Sequence, residues 1–301
     1  MNQMNHINIS SSIPSSTRIG PFTTIEGKIE IGKNCKIATS VAIHGEGVIA
    51  DDVIIDAGVS INGKFSFGPG VRLGPNTVIE NNVEIGEQTN VGPLCCFGTP
   101  PQHKQYKNEQ TFVKIGKRNI FREYTTVHRA TTEHIVTEIG DDCYFMAYCH
   151  IAHDCVVGNG VTMANCATLG GHTHIGDYAN IGLLVPIHQF SRIGKNTMIG
   201  MGYRVSRDVP PFVLVKGEPL YITGPNRIGL KRSGFDDRRI ETIEKVYDRI
   251  KQQMMSKVGV LEQVLGDIEK EYIGNDDVQQ IIEFYRNSKR GVVWFNKAGG
   301  L

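Results

Sequence analysis

The sequence predicts an all-β solenoid, a parallel β-helix of hexapeptide repeats closed by a small helical tail. Three observations predict it: an aliphatic or aromatic residue at every sixth position, a small or branched residue four places after it, and the loss of this step at Asp208-Val209-Pro210-Pro211. From Ile13 the step runs through Ile19, Ile25, Ile31, Ile37, Ile43, Ile49, Ile55, Ile61, Phe67, Leu73, Ile79, Ile85, Val91 and Phe97. It resumes at Ile115, Phe121 and Val127, and again from Ile139 through Phe145, Ile151, Val157, Met163, Leu169, Ile175, Ile181, Ile187, Ile193, Ile199 and Val205, thirty positions in all. A period of six does not fit the 3.6-residue turn of an amphipathic helix but suits a short strand and a corner repeated in register. With three strands of six to a coil of about eighteen residues, thirty repeats give about ten coils.

Glycine often follows the aliphatic residue, as at Gly32, Gly86, Gly176 and Gly194, which reads as a sharp corner eased by the missing Cβ. The slot four residues after the aliphatic is read as inward-facing, and Cys35, Cys95, Cys143, Cys149 and Cys155 all occupy it. A free cysteine there acts as a small hydrophobe. The seven cysteines form no CxxC pair, which argues against a disulfide scaffold or a zinc finger.

Two insertions break the step, near 98–113 and 129–138, and insertions in a solenoid emerge as surface loops that carry function. Residues 1–209 are therefore read as the β-helix domain and 210–301 as a helical domain. In the tail, Ile240, Ile243, Val246, Tyr247 and Ile250 are spaced by three and four, predicting a helix over 235–255, with two more over 258–272 and 276–289. With 32 basic and 31 acidic side chains the net charge is +1, so no nucleic-acid or anionic-membrane partner is indicated by overall charge. No run approaches the roughly 20 apolar residues of a membrane span, and the polar start lacks a signal peptide's apolar stretch, so a cytoplasmic protein without stable membrane insertion is expected.

His150, His153, His172, His174 and His188 cluster along the repeat. His153 and His172 lie 19 residues apart, about one coil, and His188 follows 16 after His172, so a histidine stack along one edge is expected. Such a stack could hold zinc between subunits, or supply one neutral imidazole as general base with its neighbours binding substrate. Spacing leaves both open.

The runs His150-Ile-Ala-His-Asp-Cys155, Asn165 to His172, Ile187 to Phe190, Asp208 to Val213 and Gly229 to Phe235 resemble those of the UDP-N-acetylglucosamine O-acyltransferase family, in the hexapeptide acyltransferase superfamily. The resemblance covers nearly the whole chain. It implies a left-handed β-helix, a homotrimer, and transfer of a 3-hydroxyacyl chain from acyl carrier protein to the glucosamine 3-hydroxyl of the UDP-sugar, the first step of lipid A synthesis. It further implies His153 as general base, Asp154 as its orienting partner and the Gly171 N–H as oxyanion donor. His150, His172, His188 and Gln189 would line the substrate cleft, and Asn226 and Arg232 would contact the nucleotide. No covalent intermediate, resident metal or cofactor is implied, since a thioester is already activated. A γ-class carbonic-anhydrase-like zinc enzyme is the alternative of another class.

Several positions depart from the family pattern. Where the first insertion of the family carries an acidic residue and a Lys-Tyr pair at the sugar, this chain has His103-Lys104-Gln105-Tyr106, so His103 and Lys104 stand as candidate sugar contacts. Ile228 and Ser233 stand where some members place a glutamate and an arginine. An N-acyltransferase acting on a 3-amino sugar nucleotide is therefore the alternative within the fold. Met201 stands at the family's acyl-length position and is expected to shorten the acyl chain, nearer ten carbons than fourteen by the volume of a few methylenes. A basic docking patch for acidic carrier protein is expected at Lys231, Arg232, Arg238 and Arg239.

Overall fold

The computed structural model describes residues 5–256 and 261–295. It is a left-handed parallel β-helix followed by four helices. One ladder carries the aliphatic repeat from coil to coil: Ile25, Ile43, Ile61, Ile79, Phe97, Val127, Ile151, Leu169 and Ile187 pair in succession, and Val205 closes the column by a parallel bridge to Ile187. All of these side chains are buried. The ladder passes straight through both insertions, because each leaves after an inward residue and returns in register. On another face, ten two-residue strands stack from Arg18–Ile19 to Met198–Ile199. The repeat predicts about ten coils, and rungs added at both ends bring the solenoid to about twelve turns.

The sheet continues beyond the last hexapeptide. Val213–Lys216 adds a parallel rung on Met198–Ile199, and Tyr221–Pro225 then pairs antiparallel with it. Tyr247 is buried beside this junction and donates its hydroxyl to the Pro211 carbonyl at 2.6 Å.

The corners differ from the sequence expectation. Gly32, Gly86, Gly176 and Gly194 are not the residues that turn; the left-handed conformation falls two residues later, at Asn34 (φ 59°), Gln88 (φ 57°), Tyr178 (φ 57°) and Asn196 (φ 54°). The glycines are required by stacking: a Cβ on Gly86 would lie 2.6 Å from the Gly116 carbonyl carbon, and one on Gly32 2.6 Å from that of Ala50. The third corner residue accepts the strained φ because its N–H is bonded to the preceding coil, as Asp52 N–H donates to Lys33 O at 2.9 Å.

The inward slot behaves as expected. Cys35, Cys95, Cys143, Cys149 and Cys155 are buried, and burial pushes the last four thiols up to about 12.

The tail contains α1 (Arg227–Arg232), α2 (Asp237–Ser256), α3 (Leu261–Glu271) and α4 (Asp276–Arg286). Ile240, Ile243, Val246, Tyr247 and Ile250 are all buried on α2, as their spacing requires. Residues 258–260, read as the start of the next helix, lie outside the described residues. The short α1 has no amphipathic repeat to announce it and is set by its cap: the Asn226 side chain accepts from the Gly229 N–H at 3.2 Å. Among the described residues no helix is long and apolar enough to cross a membrane.

Candidate active site

One corner column gathers the chemistry. Because Ile151 pairs with Leu169 and Leu169 with Ile187, the corner residues that follow align as Ala152, Gly170 and His188, then His153, Gly171 and Gln189, then Asp154, His172 and Phe190. Both insertions leave from this same corner, the first two coils earlier after Phe97 and the second one coil earlier after Val127. A histidine-rich corner thus stands beneath two loops.

The second insertion holds the acid. Thr131 donates to the Asp154 carboxylate through its N–H (3.1 Å) and its hydroxyl (2.8 Å), while the Asp154 backbone N–H donates to Thr137 Oγ1 at 2.9 Å. Asp154 receives His153 Nδ1–H at 2.7 Å, and both residues are buried, Asp154 at 7% and His153 at 8% exposure. Burial alone would raise the Asp154 pKa, but donation from His153 and Thr131 outweighs it and holds the carboxyl below its usual range. With Nδ1 donating to a carboxylate, the imidazole turns a lone pair at Nε2 toward the pocket.

The other candidates are placed unequally. The His172 ring stands edge-on to His153, with centroids 5.3 Å apart, and its Nε2 is 3.5 Å from Asp154 Oδ2. His103 from the first insertion also stands edge-on to His153, centroids 5.5 Å apart. His150 lies on the adjoining strand, bonded through Nδ1 to Thr126 Oγ1 at 2.8 Å. Burial lowers the pKa of both His150 and His172, so each is neutral at neutral pH. Lys104 is exposed beside His103.

His188 does not extend the stack. The register is eighteen residues, so Phe190 takes that place, parallel to His172 at 4.5 Å, while the exposed His188 turns Nδ1 to the Gln189 carbonyl at 2.9 Å. Asn226 has its amide engaged within the chain, capping α1 and donating to the Asn196 carbonyl at 2.9 Å. Arg232 is exposed at the end of α1. Met201 is 68% exposed, at the other corner of the same face, near Leu183 and Leu184 of the preceding coil. It does not serve the repeat's core.

The expected basic patch is smaller than its sequence. Arg239 is drawn onto Asp277 of α4 by two bonds of 2.9 Å and lies over the Phe235 ring, and Lys231 pairs with Asp237 at 2.9 Å. Arg232 and Arg238 carry no ion pair among the described residues.

Sequence reasoning missed Thr131, Thr126, His128 and Arg129. His128 is buried against His150 with ring centroids 5.1 Å apart, and Arg129 is buried with one nitrogen 3.3 Å from the Tyr106 hydroxyl, tying the two insertions together. The insertions are also joined by Gln110 N–H to Glu133 at 2.7 Å. The signal available for His128 and Arg129 was position: they follow Val127 at the corner that later bears His153.

A family model described as UDP-N-acetylglucosamine O-acyltransferase, domain 2, matches residues 208–293, and one described as bacterial transferase hexapeptide (six repeats) matches residues 137–171. The acyl-[acyl-carrier-protein]–UDP-N-acetylglucosamine O-acyltransferase of Thermodesulfovibrio yellowstonii is 41% identical over 264 residues, covering 87% of this chain and 98% of that one. The chain belongs to this family. A relative of the same name from Verminephrobacter eiseniae is 46% identical over 171 residues, 56% of this chain and 65% of the relative. The solved UDP-N-acetylglucosamine acyltransferase of Bacteroides fragilis superposes with a TM-score of 0.77 at 32% identity, covering 92% of this chain and all of the other. The Arabidopsis enzyme does so at 0.69 and 27%, covering 95% and 98%. Membership in this O-acyltransferase family sets aside the zinc-lyase alternative.

Proposed function

We propose that the chain performs its family's acyl transfer with His153 as general base. The observation that carries this reading is the buried His153–Asp154 pair, anchored by Thr131, facing the loop that carries His103. His153 Nε2 takes the proton of the glucosamine 3-hydroxyl as its oxygen attacks the thioester carbonyl of a 3-hydroxyacyl carrier protein. Asp154 stabilises the imidazolium that forms. The tetrahedral oxyanion needs a donor, and the Gly171 N–H is suited to be one. Gly170 and His172 on either side bond chain carbonyls, whereas Gly171 N–H is absent from the backbone bonds of the described residues. Collapse expels the carrier-protein thiolate, which takes the proton from His153.

His103, Lys104, His150, His172, His188 and Gln189 are assigned to the substrate cleft, and Arg232, with the backbone around Asn226, to the nucleotide end. The acyl chain runs from His153 across the face to Met201. Three rungs of about 4.8 Å separate their coils, about 14 Å along the axis, and Met201 closes the far end of that path. A homotrimer covers the flat faces, and use of acyl carrier protein places the enzyme in the cytoplasm. We divide the chain into a β-helix domain, 1–209, and a helical domain, 210–301, that closes it.

The test is product mass spectrometry with UDP-N-acetylglucosamine, its 3-amino analogue and carrier proteins bearing ten, twelve and fourteen carbons. Ester from the ordinary sugar is expected. His153→Ala should reduce kcat by about 10²–10⁴-fold with the fold intact by circular dichroism. Unchanged turnover in that variant would remove the assigned base.

A further inference from the structure

We propose that His153, Asp154 and His172, with His103 as fourth donor, form a binding site for a divalent transition metal such as Zn²⁺, and that the bound ion switches acyl transfer off. The second part rests on the reading of His153 as general base. One ligand atom from each of His153, Asp154 and His172 lies within 4.8 Å of the others. Bonds of about 2.0–2.2 Å around a tetrahedral ion close such a span with small side-chain rotations. Two imidazoles and a carboxylate suit Zn²⁺, Co²⁺ or Ni²⁺ and not Mg²⁺ or Ca²⁺, which prefer oxygen throughout.

Further observations favour a metal over a chance meeting of polar groups. Asp154 is held by the Thr131 N–H and hydroxyl, the type of outer contact that fixes a metal-binding carboxylate. The His172 side chain is 35% exposed, leaving an entry path from solvent. His103 lies 5.5 Å, ring to ring, from His153 on an exposed loop; it stands outside the three-residue group and would join the ion by rotating its side chain inward.

Inhibition follows from the imidazole's two nitrogens. A metal on Nε2 occupies the lone pair that would accept the sugar proton. On Nδ1 it replaces the hydrogen shared with Asp154, and Nε2 then carries the ring hydrogen. Either way His153 is no longer a base. An ion on Nε2 also fills the space of the sugar hydroxyl, and one on Nδ1 leaves Nε2 without the lone pair that the hydroxyl must meet, so nucleotide sugar and metal should oppose one another.

The full chain, freed of metal with a chelator, is titrated with ZnCl₂ by calorimetry and with CoCl₂ by visible absorption, without substrates. One ion per chain and a tetrahedral cobalt spectrum are expected. His172→Gln should weaken zinc binding by about 100-fold and Thr131→Ala by about 10-fold, with folding checked by circular dichroism. In the acyl-transfer assay Zn²⁺ should inhibit, reversed by EDTA and relieved by excess UDP-N-acetylglucosamine. Absence of saturable binding, equal affinity in His172→Gln, or activation by zinc would overturn the proposal. Unchanged affinity in His103→Gln would overturn the fourth donor. Metal binding by a chain that transfers no acyl group would preserve the site and sink the assigned reaction, and transfer without metal binding would do the reverse.

Discussion

A Cβ built on Gly171 would lie 2.3 Å from Cε1 and 2.7 Å from Nε2 of His153, so this glycine leaves room for the imidazole one coil below. Gly171→Ala should push the ring aside and stretch its bond to Asp154, lowering kcat by about 10²-fold, since displacements near 1 Å cost that much. The displaced ring would press on His103 and His172, of which His103 is exposed and can yield, so the thermal midpoint should move little. Measuring kcat and the midpoint on the same preparation checks both; a lost fold with normal specific activity would contradict the argument. Met201 supports a second residue-scale prediction, because a side chain 68% exposed contributes little to the core. Met201→Gly should leave stability nearly unchanged and shift donor preference toward longer acyl chains, read by competing ten- and fourteen-carbon donors. The histidines were legible in the sequence because the repeat converts a spacing of 19 residues into adjacency. Thr131 was not, since it lies in an insertion where no period relates its position to Asp154.

At the scale of the element, strands Thr24–Ile31, Ala42–Ile49 and Ser60–Phe67 each run eight residues through a corner without breaking their pairing. Gly27, Gly45 and Gly63 stand in one column there, in register, with φ values of 121°, 135° and 86°. A Cβ on Gly45 would sit 2.1 Å from the Gly63 carbonyl oxygen, backbone that cannot move without breaking the ladder. Gly45→Ala should therefore cost about 3 kcal/mol or more, combining an unfavourable φ with a backbone clash. Urea titration measures it, and a loss below about 0.5 kcal/mol would show that the bend relaxes freely. The period alone foretold corners but not these continuous bends, since isoleucine at every sixth position is common to both. The amphipathic spacing of α2 was readable for the opposite reason: its apolar stripe has no other use. The corner glycines were recognised but for the wrong cause, because stacking distance belongs to the eighteen-residue neighbour and not to the local chain.

For the molecule as a whole, the buried His128 and the partly buried histidines near it couple the site to stability against acid. Burial, assisted by the charges of His150 and His153, lowers His128 from its ordinary 6.5 to about 4, and its Nδ1 has no hydrogen-bond partner. His150, His172 and His174 shift in the same direction. The folded chain thus keeps the His128 ring neutral between about pH 6.5 and 4, where the unfolded chain protonates it, so the unfolded state binds more protons and stability falls as pH falls; the other three rings act in the same direction. Above about pH 6.5 both states carry neutral rings and the contribution is level. For His128 the loss across the window is on the order of 3 kcal/mol, and none of it requires the carboxylates, whose depressed values act at lower pH. Unfolding free energy measured by urea at about pH 7.5, 6 and 5, at one fixed chain concentration because subunit assembly would add its own contribution, should decline over the last two steps. His128→Gln should flatten that decline whatever it does to stability at neutral pH, since glutamine binds no proton in either state. An equally steep decline in the variant would assign the acid sensitivity to other groups and place His128 in contact with solvent.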